Sequence, residues 1–262
     1  MNSKLHRITL AAAVALLSLG AFALVANATH SWNGYHWART ANPFTLKLGD
    51  NVSSTWDSYL AATSNDWSVS STVLKTTIVA GQAKGNCRPT AGRVEVCNKT
   101  YGANGWLGVA QVWVSGSHIA QGTVKVNDTY FTTPTYNTPG WKNLVMCQEV
   151  GHTLGLDHQD TNFDNANLGT CMDYTSNPLG PPSNEHPNQH DYNQLGIIYS
   201  HLDSTTTVGA TAPSKGNHTE VNLDEPPAWG KEIRKDSRGH SSLFERDLGG
   251  GNKVFTFVIW VQ

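Results

Sequence analysis

The chain has 262 residues, of which 39% are hydrophobic and 15% charged, with a formal net charge of −2. So low a charged fraction excludes a coiled coil or a highly charged disordered chain, and a balance this close to neutral gives no electrostatic basis for nonspecific nucleic-acid binding. The length fits one domain of about 150–200 residues with accessory segments, enough to bury a sizeable core.

Lys4 and Arg7 precede an apolar run over 8–25, and Ala26-Asn27-Ala28 follows with the small-x-small pattern of a signal-peptidase site. Residues 1–28 therefore read as a secretory signal rather than an anchor, since Ser18 and Gly20 interrupt the run and a cleavage site follows it. Cleavage removes two basic residues and no acidic one, taking the charge from −2 to −4. A secreted, extracellular chain with no membrane association after cleavage is expected. In that compartment thiols pair. The four cysteines allow three connectivities, of which Cys87 with Cys97 and Cys147 with Cys171 is the preferred one.

Alternation over 44–48 predicts a strand, and Trp56, Tyr59, Leu60 and Trp67 sit at helical spacing over 54–67. Strands follow at 73–79, 108–114 and 119–126. Pro139 and Gly140 precede a helix over 141–154, which Gly155 ends. After a loop over 162–182 rich in Asn, Gly and Pro, Leu195, Ile198 and Leu202 mark a helix over 188–201, with Pro187 just ahead of it. The domain is expected to span 29–203. Residues 204–226 read as a flexible linker, and 227–262 as a C-terminal β-hairpin around Gly249-Gly250-Gly251-Asn252.

The chemistry is concentrated in Cys147-Gln148-Glu149-Val150-Gly151-His152-Thr153-Leu154-Gly155-Leu156-Asp157-His158. On a helix Gln148 and His152 share a face, so both side chains can address one ion. Glu149 on the adjacent angle can take a proton from water at that ion. Gly155 permits a sharp turn, which brings His158 round as a further ligand. Fourteen residues later comes Met172, followed by Asp173 and Tyr174.

These two segments together resemble the metzincin zinc endopeptidases, whose pattern is HExxHxxGxxH followed by a methionine-containing turn. The resemblance implies an α+β fold: a twisted, mostly parallel sheet with an antiparallel edge strand, an active-site helix, the methionine turn and a C-terminal helix. It implies Zn2+ as cofactor, Glu149 as general base, and His152 and His158 as metal ligands. Gly155 becomes the turn glycine and Met172 the residue beneath the metal, while Tyr174 takes the place of a tyrosine that ligates zinc or stabilises the oxyanion. Residues 108–114 become the edge strand that pairs with an extended peptide substrate by strand addition. The helix and the methionine turn pack together in the family, which suits a Cys147–Cys171 bridge bracing the site.

The chain departs from the pattern at Gln148, where the family has its first histidine. Gln148 ligates through its oxygen, or Tyr174 or His190 completes the shell, or zinc and catalysis have been lost. Retention of Glu149, His152, Gly155, His158 and the Met-x-Tyr turn together favours a working site. His186 and His190 are separated by Pro187, which argues against a shared helical face, and Asp160, Asp164 and Asp173 lack the spacing of a calcium loop. The expected protein is thus a secreted, monomeric zinc endopeptidase acting on protein or peptide substrates. Its alternative is a weak or inactive relative that holds peptides without cutting them.

Overall fold

The computed structural model describes residues 29–69, 72–83, 85–211 and 223–262; the expected signal segment 1–28 lies outside them. The elements are β1 (His36–Trp37), β2 (Phe44–Asn51), α1 (Asp57–Trp67), β3 (Leu74–Ala80), β4 (Val94–Lys99), β5 (Trp106–Ser115), β6 (His118–Asn127), α2 (Asp128–Phe131), α3 (Pro139–Thr153), α4 (Gln189–Ile198), β7 (Lys231–Lys235), β8 (Ser241–Gly249) and β9 (Asn252–Trp260). The fold mixes α and β, and one sheet of nine strands carries it, in the order β3-β2-β4-β6-β5-β9-β8-β7 with β1 also on β6.

Local chemistry explains the elements that hold the centre. In β2, Phe44, Leu46 and Leu48 are buried while Thr45 and Lys47 between them are exposed, the period of a strand with one covered face. Thr138 caps α3 by accepting from the Trp141 amide, and Pro139 fits the first turn because its missing N–H has no helical acceptor there. Leu144 through Thr153 are all buried, so α3 is covered all round and lies within the core rather than on it.

The sheet differs from the expected mostly parallel one. β1, β2, β3, β4 and β6 pair in parallel, but every contact from β6 through β5, β9, β8 and β7 is antiparallel. Residues 108–114, expected as an edge strand, lie inside β5, which is flanked by β6 on one side and β9 on the other. The 227–262 segment is the cause. It forms three strands rather than a separate hairpin, and β9 continues the main sheet, with Val109 opposite Val258 and Ala110 opposite Phe257.

Alternation along β9 divides its side chains between two cores. Phe255, Phe257 and Ile259 enter the main core, whereas Val254 and Val258 join Trp106, Val109, Leu223 and Trp229 in a smaller cluster. The start of the expected linker is also docked: the Thr207 amide donates to Ala38 O (2.9 Å) and the Gly209 amide to Gly92 O (2.8 Å). Of that linker, 212–222 lie outside the described residues.

Candidate metal and catalytic site

Gln148, Glu149 and His152 are carried on α3, and the helix ends in a turn that sets the next ligand candidate. The Leu156 amide donates to Gly151 O (3.3 Å) and the Gly155 amide to His152 O (3.1 Å), the paired bonds of a Schellman cap. Gly155 takes φ +96°, and a Cβ there would lie 2.5 Å from Tyr35 O; both the backbone angle and the close approach demand glycine. The chain then reverses, and His158 returns to face His152.

The two imidazoles meet through Nε2 atoms 3.1 Å apart. His152 Nδ1 donates to Leu156 O (2.9 Å), which fixes its proton on Nδ1 and leaves a lone pair on Nε2. His158 Nδ1 lies 3.5 Å from Asp157 Oδ1 without a hydrogen bond to it, so this ring is not held to one tautomer. Burial holds both imidazoles below the ordinary histidine pKa, with their mutual repulsion adding to the effect on His152. A neutral His158 with its proton on Nε2 donates across this gap as an ordinary hydrogen bond, and with both Nε2 atoms free the gap suits a cation, the spacing being near the roughly 3.3 Å ligand separation of a tetrahedral zinc site. Gln148 is fully buried, and neither its oxygen nor its nitrogen has a hydrogen-bond partner. An orphaned amide four residues before His152, on the same helical face, suits a donor set awaiting an ion.

Glu149 is also fully buried. Desolvation pushes its carboxyl well above the ordinary range, offset only in part by the Ala110 backbone. Gly108 makes room for it, since a Cβ at that position would lie 2.8 Å from Glu149 Oε1 and 2.5 Å from the Val145 side chain. Beneath the helix, Met172 packs where Gly151 has no side chain: a Cβ at Gly151 would meet Met172 Sδ at 2.5 Å and Trp67 at 2.8 Å. Disulfides join Cys147 to Cys171 and Cys87 to Cys97, and the first ties α3 to the turn that carries Met172.

Tyr174 lies against the His158 ring, centroids 4.3 Å apart. Its hydroxyl donates to Val258 O of β9 (3.3 Å), and burial, followed by the neighbouring Glu149, raises its pKa well above normal. Phe257 of the same strand stacks on His152, and Arg234 of β7 pairs with Asp157. Gln262 Nε2 donates to Thr175 O (2.9 Å). Strands from the C-terminal segment therefore roof the site, and His152 retains 1% and His158 8% of their surface.

The other sequence candidates lie elsewhere. His186 pairs with Asp66 (2.7 Å), while His190 stacks on His30. Asp160 accepts from the Asn162 amide and the Asn165 side chain, Asp164 pairs with Arg238, and Asp173 accepts from the Leu168 amide and Asn184. The sequence does not single out a second group: His36, His201 and Asp203 bring donor atoms within 4.8 Å of one another and could hold a metal ion. The only local signal for it was the short His201-Leu202-Asp203 run.

No family model matches the chain, and no curated protein does so either.

Proposed function

We propose that the protein is a secreted zinc endopeptidase of metzincin type, latent in this conformation because its own C-terminal strands fill the cleft. The observation that carries the reading is the His152–His158 pair, with Nε2 atoms facing at 3.1 Å and His152 Nδ1 bonded to Leu156 O, beside a buried carboxylate. Two disulfides suit an oxidising compartment, and among the described residues no helix is long and apolar enough to cross a membrane.

In this reading His152, His158 and Gln148 hold the ion, with Tyr174 adjacent. Zinc bound there supplies Lewis acidity toward a peptide carbonyl and acidity to water. Glu149 does the proton work: its raised pKa suits a carboxylate that accepts a proton from attacking water and passes it to the departing amine. The Tyr174 hydroxyl, which here donates to a main-chain carbonyl of β9, donates to the oxyanion of a bound substrate. β5 aligns that substrate as an antiparallel strand, and its pairing with β9 supports such a use.

That same pairing supports the rival, a protein that captures extended peptides along β5 without cutting them. Metal analysis of the purified chain, with a casein digestion assay on the Phe257→Ala variant that uncovers His152 and Glu149→Ala added to it as control, separates the two. About one equivalent of zinc at this site, with hydrolysis abolished by Glu149→Ala, is the expected result. Proteolysis that survives Glu149→Ala, or peptide binding without any cleavage once β9 is displaced, would overturn the peptidase reading.

A further inference from the structure

We infer that a second transition-metal site, separate from the His152–His158 centre, clamps β1 to the segment after α4 through His36, His201 and Asp203. Chain topology assembles it from distant parts. β1 pairs in parallel with β6, which sets His36 beside His118, and the chain leaving α4 returns His201 and Asp203 to the same place.

The donor geometry is that of a metal shell. Asp203 Oδ1 lies 3.4 Å from His36 Nε2 and 3.7 Å from His201 Nε2, and the two Nε2 atoms are 3.1 Å apart. Ligands about 2.0–2.1 Å from a tetrahedral zinc are separated by roughly 3.3 Å, so all three separations fall near that edge length. His118 Nε2 reaches the same carboxylate oxygen at 3.2 Å, so a further imidazole stands at the rim of the group.

The surrounding contacts pre-set the ligands. His36 Nδ1 donates to Gly34 O (2.8 Å), which places its proton there and turns the Nε2 lone pair toward His201. Arg39 Nη1 and the Arg39 amide hold the other carboxylate oxygen, Oδ2, at 2.8 and 3.1 Å. Oδ1 is thereby left for the imidazoles. Two nitrogens and one carboxylate oxygen select zinc or a neighbouring divalent transition ion over calcium or magnesium, which take oxygen shells. Half of the His201 side chain is exposed, so the ion has a path from solvent, and water closes the fourth position.

The consequence is mechanical. Trp37, next to His36, donates from its indole to Thr153 O at the end of α3 (2.8 Å). Clamping β1 therefore steadies the helix end from which the chain turns toward His158.

The test is the zinc content of the dialysed full-length chain and its variants, which needs no activity. Wild type is expected to retain two equivalents, His201→Ala one, the His152→Ala/His158→Ala double variant one, and the triple variant none. The double variant titrated with Co2+ should also show the visible bands of a four-coordinate nitrogen and oxygen site, lost on adding His201→Ala. Undiminished zinc in His201→Ala, or a double variant that binds neither metal, overturns the second site; loss of metal only in the double variant leaves the first site standing alone.

Discussion

The Phe257 ring lies flat on the His152 imidazole, ring centroids 4.0 Å apart and planes 10° apart. A side chain from the C-terminal segment thus covers one of the two facing histidines. Replacing Phe257 with Ala in the full-length chain should raise hydrolysis of a fluorogenic peptide at least tenfold. Truncating a buried phenylalanine costs about 3–5 kcal/mol, so thermal unfolding measured alongside should show a lower midpoint. A destabilised, folded variant with unchanged activity would place the block elsewhere.

Gln148→His addresses the unusual ligand. An imidazole is a better zinc donor than a neutral amide, and the substitution also removes two buried polar atoms that have no partner. Zinc affinity, read by competition with a chelator, should rise by tenfold or more. Unchanged affinity would remove Gln148 from the ligand set.

The Cys147–Cys171 bridge closes a segment of 24 residues. Restricting a loop of that size in the unfolded chain is worth about 3 kcal/mol. Replacing both cysteines with Ala should lower stability by about that amount in denaturant unfolding, and should weaken zinc binding because the helix and the Met172 turn are no longer tied. If both quantities stay unchanged, the bridge has no part in holding the site.

Gly151→Ala tests the packing beneath the helix. The new methyl group would lie 2.5 Å from Met172 Sδ and 2.8 Å from the Trp67 ring, and Trp67 is held by its indole bond to Cys147 O (3.1 Å). Overpacking of this kind costs about 1–3 kcal/mol, outweighing the roughly 1 kcal/mol that alanine gains over glycine in a helix. A lower unfolding midpoint is expected, and Gly151→Ala/Met172→Ala should recover part of it. A more stable single variant would mean that Met172 has room to move.

How far these features could be read from the sequence depended on how local they were. Gln148, Glu149, His152, Gly155 and His158 fall within one helix and one turn, so spacing alone brought them together. β2, β3, β5 and β6 announced themselves by apolar periodicity. β4 did not, because Glu95 and Asn98 interrupt its apolar residues; Glu95 is nonetheless fully buried, paired with Arg93 at 3.0 Å. The docking of β9 on β5 and the meeting of His36 with His201 join residues far apart in the chain, and such pairings leave no local pattern. β5 therefore lies inside the sheet and not at the expected edge: its sequence suits pairing on either side, and nothing within it names the partner.

The sheet also has to end somewhere. With β9 in place, β5 has both neighbours and the free border passes to β7, whose Lys231, Glu232, Arg234 and Lys235 set charges along a short, bulged strand. Such a border discourages pairing with other chains. If the C-terminal strands left, the border would revert to the long, apolar, almost wholly buried β5. The freed molecule would then be as ready to polymerise with its own kind as to accept a substrate, so keeping it soluble would require a peptide, a partner or dilution to occupy that edge.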